Sequence, residues 1–538
     1  MRDFRKLLAA NTPPNTTVLY LLGFAFYPIL FLYSKFPGEA SWSLAPLPML
    51  LSGVFTCLIF AVLKRIFRNE PQAAVLTCAL LFLFFSYGHL ATYVGARVIG
   101  GGSGNGKNLI YVNPVLGAFW FLFLLAAVFF VSSRKRQTFV ERLHQILPSI
   151  SATLIVLLGL TFVLETLTPE KEVAESTESF KVGLISELGY NPDIYFIVLD
   201  GYARADILKQ FYGFDNQPFL ESLRQKNFQV LENSFASYPW THLSLTSALN
   251  MSHLHEFAKQ VGENRKSRGH LYQFLQNNRV SKFLRQRGYR YIHLASTGGE
   301  TMMNPYADKV YSCRSSGGVK HEIYRVLIES SLLRVVFNDL GKDLAECHKE
   351  NYQTFSKIPE LEKGPKFVFA HIVSPHHPYL FDDKGNVLQH ATISNQFRYD
   401  KNLWADRRSY VNQTKFINAT MYKIFGDILQ KSEHPPVIIL SSDHGPHLVY
   451  KEFPDEVRHT GRFANLLAVH LPQIKNQKPF QLLDNLRLVN LFPSIFNYYF
   501  DSKLKMESDE LFLRVGASGY SFKPFQPLDQ SAMKSLAR

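Results

Sequence analysis

At 538 residues the chain exceeds what one hydrophobic core usually organises, so at least two domains are expected. A formal net charge of +14 raises nucleic acid as a partner. No zinc-finger spacing, RNP-like motif or long basic run accompanies that charge, and Lys and Arg cluster beside apolar stretches instead, so nucleic acid is set aside.

The overall 46% hydrophobic content conceals an asymmetry, because long uncharged stretches are confined to the chain before about residue 166. A helix needs about 20 apolar residues to cross a bilayer core. Residues 18–33, 44–63, 73–94, 113–132 and 146–164 meet that need, which predicts a membrane domain of about five transmembrane helices over 1–165. Arg2, Arg5 and Lys6 precede the first span, Lys64, Arg65 and Arg68 follow the second, and Arg134, Lys135, Arg136 and Arg142 follow the fourth. With the N-terminus in the cytoplasm all three clusters fall inside. A multi-pass protein of the cytoplasmic (inner) membrane follows, its later residues periplasmic or extracellular. Gly101–Lys107 nearly matches a phosphate-binding loop, but Asn108 stands where Ser or Thr would coordinate magnesium, so it reads as a connector.

Residues 166–190 are polar and acidic, as in a linker or a surface helix. Beyond them, 193–199, 366–373, 437–441 and 466–471 are short apolar runs rich in β-branched and aromatic residues, with 290–294 a weaker fifth. Such runs read as strands buried on both faces of a mostly parallel sheet. Helices are predicted between them at 205–212, 218–226, 243–249, 272–287 and 411–430, giving an α/β sandwich over 191–515 and a tail at 516–538. Cys57 and Cys78 lie inside apolar spans; Cys313 and Cys347 lie in the polar half, either as one disulfide or as two free thiols.

In sheets of this kind ligands bind beyond the carboxyl ends of the strands. Asp200 follows the first strand and Asp443-His444 follows 437–441. Each alone reads equally as a helix cap or a turn. Together they suit one divalent cation, manganese or zinc before calcium, with magnesium a further option. Thr241 stands where a loop runs into a helix, which is an ordinary cap and also a natural phosphate seat. Its hydroxyl is a weak nucleophile unless a cation activates it. His376 and His377, framed by prolines after 366–373, suit a general acid or a phosphate donor; His459 and Arg462 suit an anionic head group.

The order IVLDGYARAD, SYPWTHLSLTSALN, SPHHPY and SSDHG resembles the alkaline phosphatase/sulfatase superfamily, and within it the membrane-anchored lipoteichoic-acid synthases and lipid A phosphoethanolamine transferases. The resemblance covers roughly residues 190–500. It implies Asp200, Thr241, Asp443 and His444 as metal ligands, Thr241 as nucleophile and His376 as substrate-binding histidine, with His377 an alternative register. It also implies transfer of a phosphoglycerol or phosphoethanolamine head group from a membrane phospholipid, through a phospho-Thr, to an envelope glycoconjugate. Those transferases usually carry Glu where Asp200 stands, so a membrane-anchored hydrolase of phosphate or sulfate esters remains the alternative. The sulfatase Cys/Ser-x-Pro-x-Arg motif is absent around Thr241, which favours Thr over a formylglycine. A non-catalytic envelope protein that keeps the fold is the third reading, and the oligomeric state stays open.

Overall fold

Backbone groups without water must bond within their own segment, and uncharged stretches of this length do so as helices. The computed structural model describes residues 14–35, 42–98, 107–166, 189–265, 267–313, 322–337, 340–388, 404, 406–448, 453–475, 479–516 and 519–536. The 101–106 part of the glycine-rich connector and most of the expected 166–190 linker lie outside these. Five helices are long and apolar enough to cross a membrane: α1 (Pro14–Lys35), α2 (Pro46–Phe67), α3 (Glu70–Val98), α4 (Lys107–Ser132) and α5 (Gln137–Thr166). α1 packs on α5 and α2, α2 on α3, and α3 on α4. Buried small residues (Ala25, Ala73, Ala74) let the backbones approach, and polar side chains join helices. Tyr20 Oη bonds His144 Nδ1 at 2.8 Å, and Thr17 donates to Glu70 at 2.7 Å. Large apolar side chains such as Leu50, Phe82 and Phe129 face outward, as lipid contact requires.

The chain divides into two compact units, the first being Met1–Gly101, Asn105–Glu170 and His321–Asn338. The membrane unit therefore includes a segment far along the chain, which a boundary at 165 omits. That segment contains α12 (Glu322–Ser330), which the chain reaches after the second unit's β1 (Ile194–Leu199), α6 (Ala205–Tyr212), α7 (Gln217–Arg224), β2 (Phe228–Val230), α8 (Thr241–Asn250), α9 (His255–Val261), α10 (Gly269–Gln276), α11 (Arg279–Arg285), β3 (Arg290–Leu294) and β4 (Lys309–Tyr311). After it come α13 (Leu340–Leu361), β5 (Lys366–Ile372), α14 (Arg407–Lys431), β6 (Val437–Ser441), α15 (Asp455–Phe463), β7 (Leu467–His470), α16 (Leu491–Phe500), β8 (Leu511–Arg514), β9 (Phe522–Phe525) and α17 (Gln530–Leu536).

Seven strands form one sheet in the order β2-β7-β6-β1-β5-β3-β4. β1 pairs parallel with both β5 and β6; only β7 runs antiparallel to its neighbours β6 and β2. The period of two along β1 feeds two cores. Tyr195, Ile197 and Leu199 join one with α6, α7, α13 and α14; Ile194, Phe196 and Val198 join the other with α8, α11 and α16. Each fully buried aromatic or branched side chain contributes roughly 1.5–3 kcal/mol. The expected helix at 272–287 is two helices, because Asn278 Oδ1 accepts from Ser281 N at 2.8 Å and caps a second start. Within the expected tail at 516–538, β9 pairs with β8, and Met533 is buried in the first core. Cys313 and Cys347 are joined as a disulfide.

Candidate active site

Parallel pairing brings the ends of β1, β5 and β6 together. In register, Val198 faces His371 on β5 and Ser441 on β6, so Asp200 and Asp443 each emerge two residues later. The Asp200 backbone is held from both sides, its N–H donating to Ile372 O (2.9 Å) and its carbonyl accepting from His376 N (3.0 Å). Gly201, at φ +67°, turns the chain beside the Trp404 ring, which a Cβ would meet at 2.5 Å. Its N–H donates to Asp443 Oδ1 at 3.0 Å.

Asp200, His371 and Asp443, all buried, offer one ligand atom each, and these atoms lie within 4.8 Å of one another. His444 Nε2 lies 3.1 Å from Asp443 Oδ2 and 3.9 Å from Asp200 Oδ1. Its Nδ1 faces Gly445 O at 2.9 Å, and since a carbonyl only accepts, Nδ1 holds the proton and Nε2 the lone pair. Asp200 Oδ1, Asp443 Oδ2 and His371 Nε2 have no hydrogen-bond partner among the described residues. Three orphaned, buried acceptors at one point fit a cation, because each would otherwise carry an uncompensated desolvation cost of about 1–3 kcal/mol. Burial raises the Asp200 carboxyl to about 7, with Arg462 opposing and Glu300 adding to the rise. Asp443 rises to about 7 through burial and the neighbouring Asp200. Two carboxylates and one or two imidazoles suit zinc or manganese.

Thr241 opens α8, where the helix dipole is positive. Unlike the four buried groups it is only half-buried, and its Oγ1 lies 3.1 Å from His444 Nε2. One turn on, Ser244 Oγ donates to Asp443 O at 2.7 Å and fixes the helix to the loop after β6. Arg462 joins the same parts from the other side: Nε donates to Pro239 O (2.9 Å), Nη1 to Gly445 O (2.9 Å) and Nη2 to His444 Nε2 (3.0 Å).

His376 and His377 stack edge-on to Trp404, with centroids 5.0 and 5.5 Å away. His376 Nδ1 donates to His377 O at 2.6 Å, and burial lowers its pKa to about 4. With Nδ1 donating, Nε2 is left as the acceptor. Burial first, then the neighbouring His376, Arg462 and His447, holds His377 well below the ordinary imidazole pKa. His459 is not brought in: its ring packs on Phe525 at 5.6 Å, among Asp455, Arg458 and Lys523. Sequence reading passed over His371 and Glu300. His371 carried one signal, a lone imidazole in an otherwise apolar strand, which more often marks a satisfied core residue; Glu300 carried none.

The sulfatase family model matches residues 192–495, more than half of the chain. The chain belongs to the sulfatase family. Among solved structures, this sulfatase-family chain is similar to the zinc complex of the C-terminal periplasmic domain of EcEptC from Escherichia coli (13% identity, 64% of this chain and 96% of that one, TM-score 0.41). It is also similar to the soluble domain of lipooligosaccharide phosphoethanolamine transferase A from Neisseria meningitidis (11% identity, 61% and 92%, TM-score 0.37). The integral membrane form of that Neisseria protein aligns over 86% of this chain and 89% of its own, at 10% identity and TM-score 0.35. Among curated proteins none matches at a significant level.

Proposed function

We propose that this protein is a membrane-anchored, metal-dependent transferase that moves a phospho-head group from a phospholipid to an envelope glycoconjugate through a phospho-Thr241 intermediate. The observation that carries this is the half-buried Thr241 hydroxyl at a helix N-terminus, beside orphaned ligand atoms from three strands. Asp200, Asp443, His444 and Thr241 would hold the cation, with His371 beside them. A divalent cation there supplies positive charge that favours the ionised hydroxyl and offsets charge on the phosphoryl oxygens.

Thr241 Oγ forms a bond to phosphorus as the bond from phosphorus to the diacylglycerol oxygen breaks; the leaving oxygen gains the proton that Thr241 gives up. An acceptor hydroxyl then attacks the same phosphorus as the bond from phosphorus to Thr241 Oγ breaks; His376 Nε2 takes the acceptor's proton and passes it to the Thr241 oxygen, which restores the hydroxyl. Arg462, His377 and His447 hold the phosphoryl oxygens. Five spans tether this chemistry to the membrane that holds its lipid donor, with the N-terminus cytoplasmic and the catalytic unit on the outer face.

The test is mass spectrometry of manganese- or zinc-loaded protein incubated with mixed bacterial phospholipids. A head-group mass added to Thr241, and absent from Thr241→Ala, is the expected result and names the donor. Rapid turnover with water as sole acceptor, and no consumption of phospholipid, would replace this reading with the hydrolase that Asp200 also suits.

A further inference from the structure

The membrane unit is completed by His321–Asn338, a segment that the chain supplies from within the second unit. α12 docks by its apolar face: Ile323 is buried with Ile29, Tyr33 and Ala45, and Tyr324 Oη donates to Leu44 O at 2.9 Å. The next turn docks on α3. Arg334 Nη1 donates to Gly88 O at 3.2 Å, and a Cβ at Gly88 would meet Glu329 O at 2.0 Å, so a side chain there would exclude the segment. Gly88 lies about 27 Å along α3 from Glu70 at 1.5 Å per residue, close to the far boundary of a hydrocarbon core of about 30 Å.

At that level residues 332–337 expose what a water-facing turn would bury. Leu332 is 38% exposed, Leu333 36%, Val335 44%, Val336 74% and Phe337 42%, whereas Arg334, the one charged member, is 6% exposed and tied inward. The outward apolar side chains continue the belt already formed by the spans, with Leu90 and Tyr93 exposed on α3 itself. We propose that residues 332–337 are an interfacial anchor whose side chains enter the lipid leaflet at the end of the bundle where α3 and α5 finish. The occupant is lipid acyl chain. Continuity with the bilayer-facing belt and the depth of Gly88 favour it over a second copy of the chain or another protein. This rests on the five helices spanning a bilayer and is independent of the chemistry at Thr241. The anchor lies inside the loop that Cys313–Cys347 closes, with a sequence separation of 34. The catalytic unit is thereby fastened to the membrane by chain crossings beyond the one after α5.

The experiment places a genetically encoded coumarin amino acid at Val336 in the full-length chain, with a control probe at exposed Lys503, both in phosphatidylcholine nanodiscs. Exchange of the lipid for acyl-brominated phosphatidylcholine is expected to cut Val336 emission by about twofold or more while sparing the control, with aqueous iodide ineffective at Val336. Quenching by iodide and not by bromolipid would mean a water-exposed turn; quenching by neither would mean a protein cover. Either result overturns the proposal. Gly88→Ala provides the second reading, because expelling the segment should shift the Val336 probe from bromolipid to iodide quenching; unchanged quenching would show that docking on α3 does not set its depth.

Discussion

Gly445 packs the loop after β6 against α15, and replacing it with Ala tests whether the spacing between them matters to chemistry. A Cβ there would meet Gly461 O at 2.2 Å and Ala464 O at 2.7 Å. Both are backbone atoms of α15 and its end, and neither can swing aside. Restoring an ordinary carbon–oxygen contact of about 3.3 Å requires a shift of about 1 Å. That shift strains the bond from Gly445 N to Arg462 O (2.8 Å) and the return bond from Arg462 Nη1, and it displaces the adjacent His444. Overpacking of this kind costs about 1–3 kcal/mol, a few degrees in thermal midpoint. A 1 Å misplacement beside the proposed nucleophile costs on the order of 10²-fold in rate. Gly461→Ala is the control. Its Cβ would meet Leu448 Cδ1 at 2.5 Å, a flexible side chain that can turn for about 0.5–1.5 kcal/mol. Turnover of a phospholipid or chromogenic phosphodiester by metal-loaded protein should fall about 10²-fold in Gly445→Ala, mainly in kcat, and little in Gly461→Ala. Equal activities in the two variants would refute the claim that the loop and α15 hold His444 in place.

Arg462→Lys should lower kcat and thermal midpoint together, because a single ammonium cannot reach Pro239 O, Gly445 O and His444; each charge-assisted bond lost is worth about 1.5–3 kcal/mol, and differential scanning with steady-state kinetics checks both. Asp200 and Asp443, at about 7 against an ordinary 3.8, take up protons on folding of the metal-free protein. Their contribution to stability is therefore complete below about 3.8 and is lost as pH rises through 7. A cation must displace those two protons, so calorimetric zinc or manganese affinity should rise by up to about a hundredfold per pH unit between pH 5 and 7, tenfold for each proton released, and flatten above it; a flat profile would argue against carboxylate ligation. Reduction of Cys313–Cys347, or a double Ser variant, opens a loop of 34 residues and should destabilise the second unit by roughly 4 kcal/mol at most, seen as a lower melting transition under reductant.

β1, β5, β6 and β7 were legible because each is apolar along most of its length, as burial on both faces demands; β3 was a weaker signal because Arg290 and His293 interrupt it. Residues 228–230 and 309–311 were not, since three residues carry no period. α13 escaped because its buried face includes Cys347 and His348, which dilute the stripe of Leu344, Tyr352, Phe355 and Ile358. At the site, Asp200, Thr241, Asp443 and His444 were readable as residues that end apolar strands or open a helix. Glu300 was not, because its position depends on how a short loop after β3 folds back. His459 and Arg462 illustrate the limit of spacing: three apart on α15, one reaches His444 and the other packs on Phe525.

The late segment His321–Asn338 has a consequence for biogenesis. When α5 has been inserted, five helices are in place but the bundle still lacks the piece that covers Gly88, the end of α1 and the start of α2. That piece leaves the ribosome roughly 150 residues later, which at 5–20 residues per second is roughly 10–30 s. During this interval a notch of unfilled backbone and apolar surface faces lipid or a chaperone. The membrane half cannot complete itself without its partner domain, so truncation after the last span should yield an inserted yet unfinished bundle.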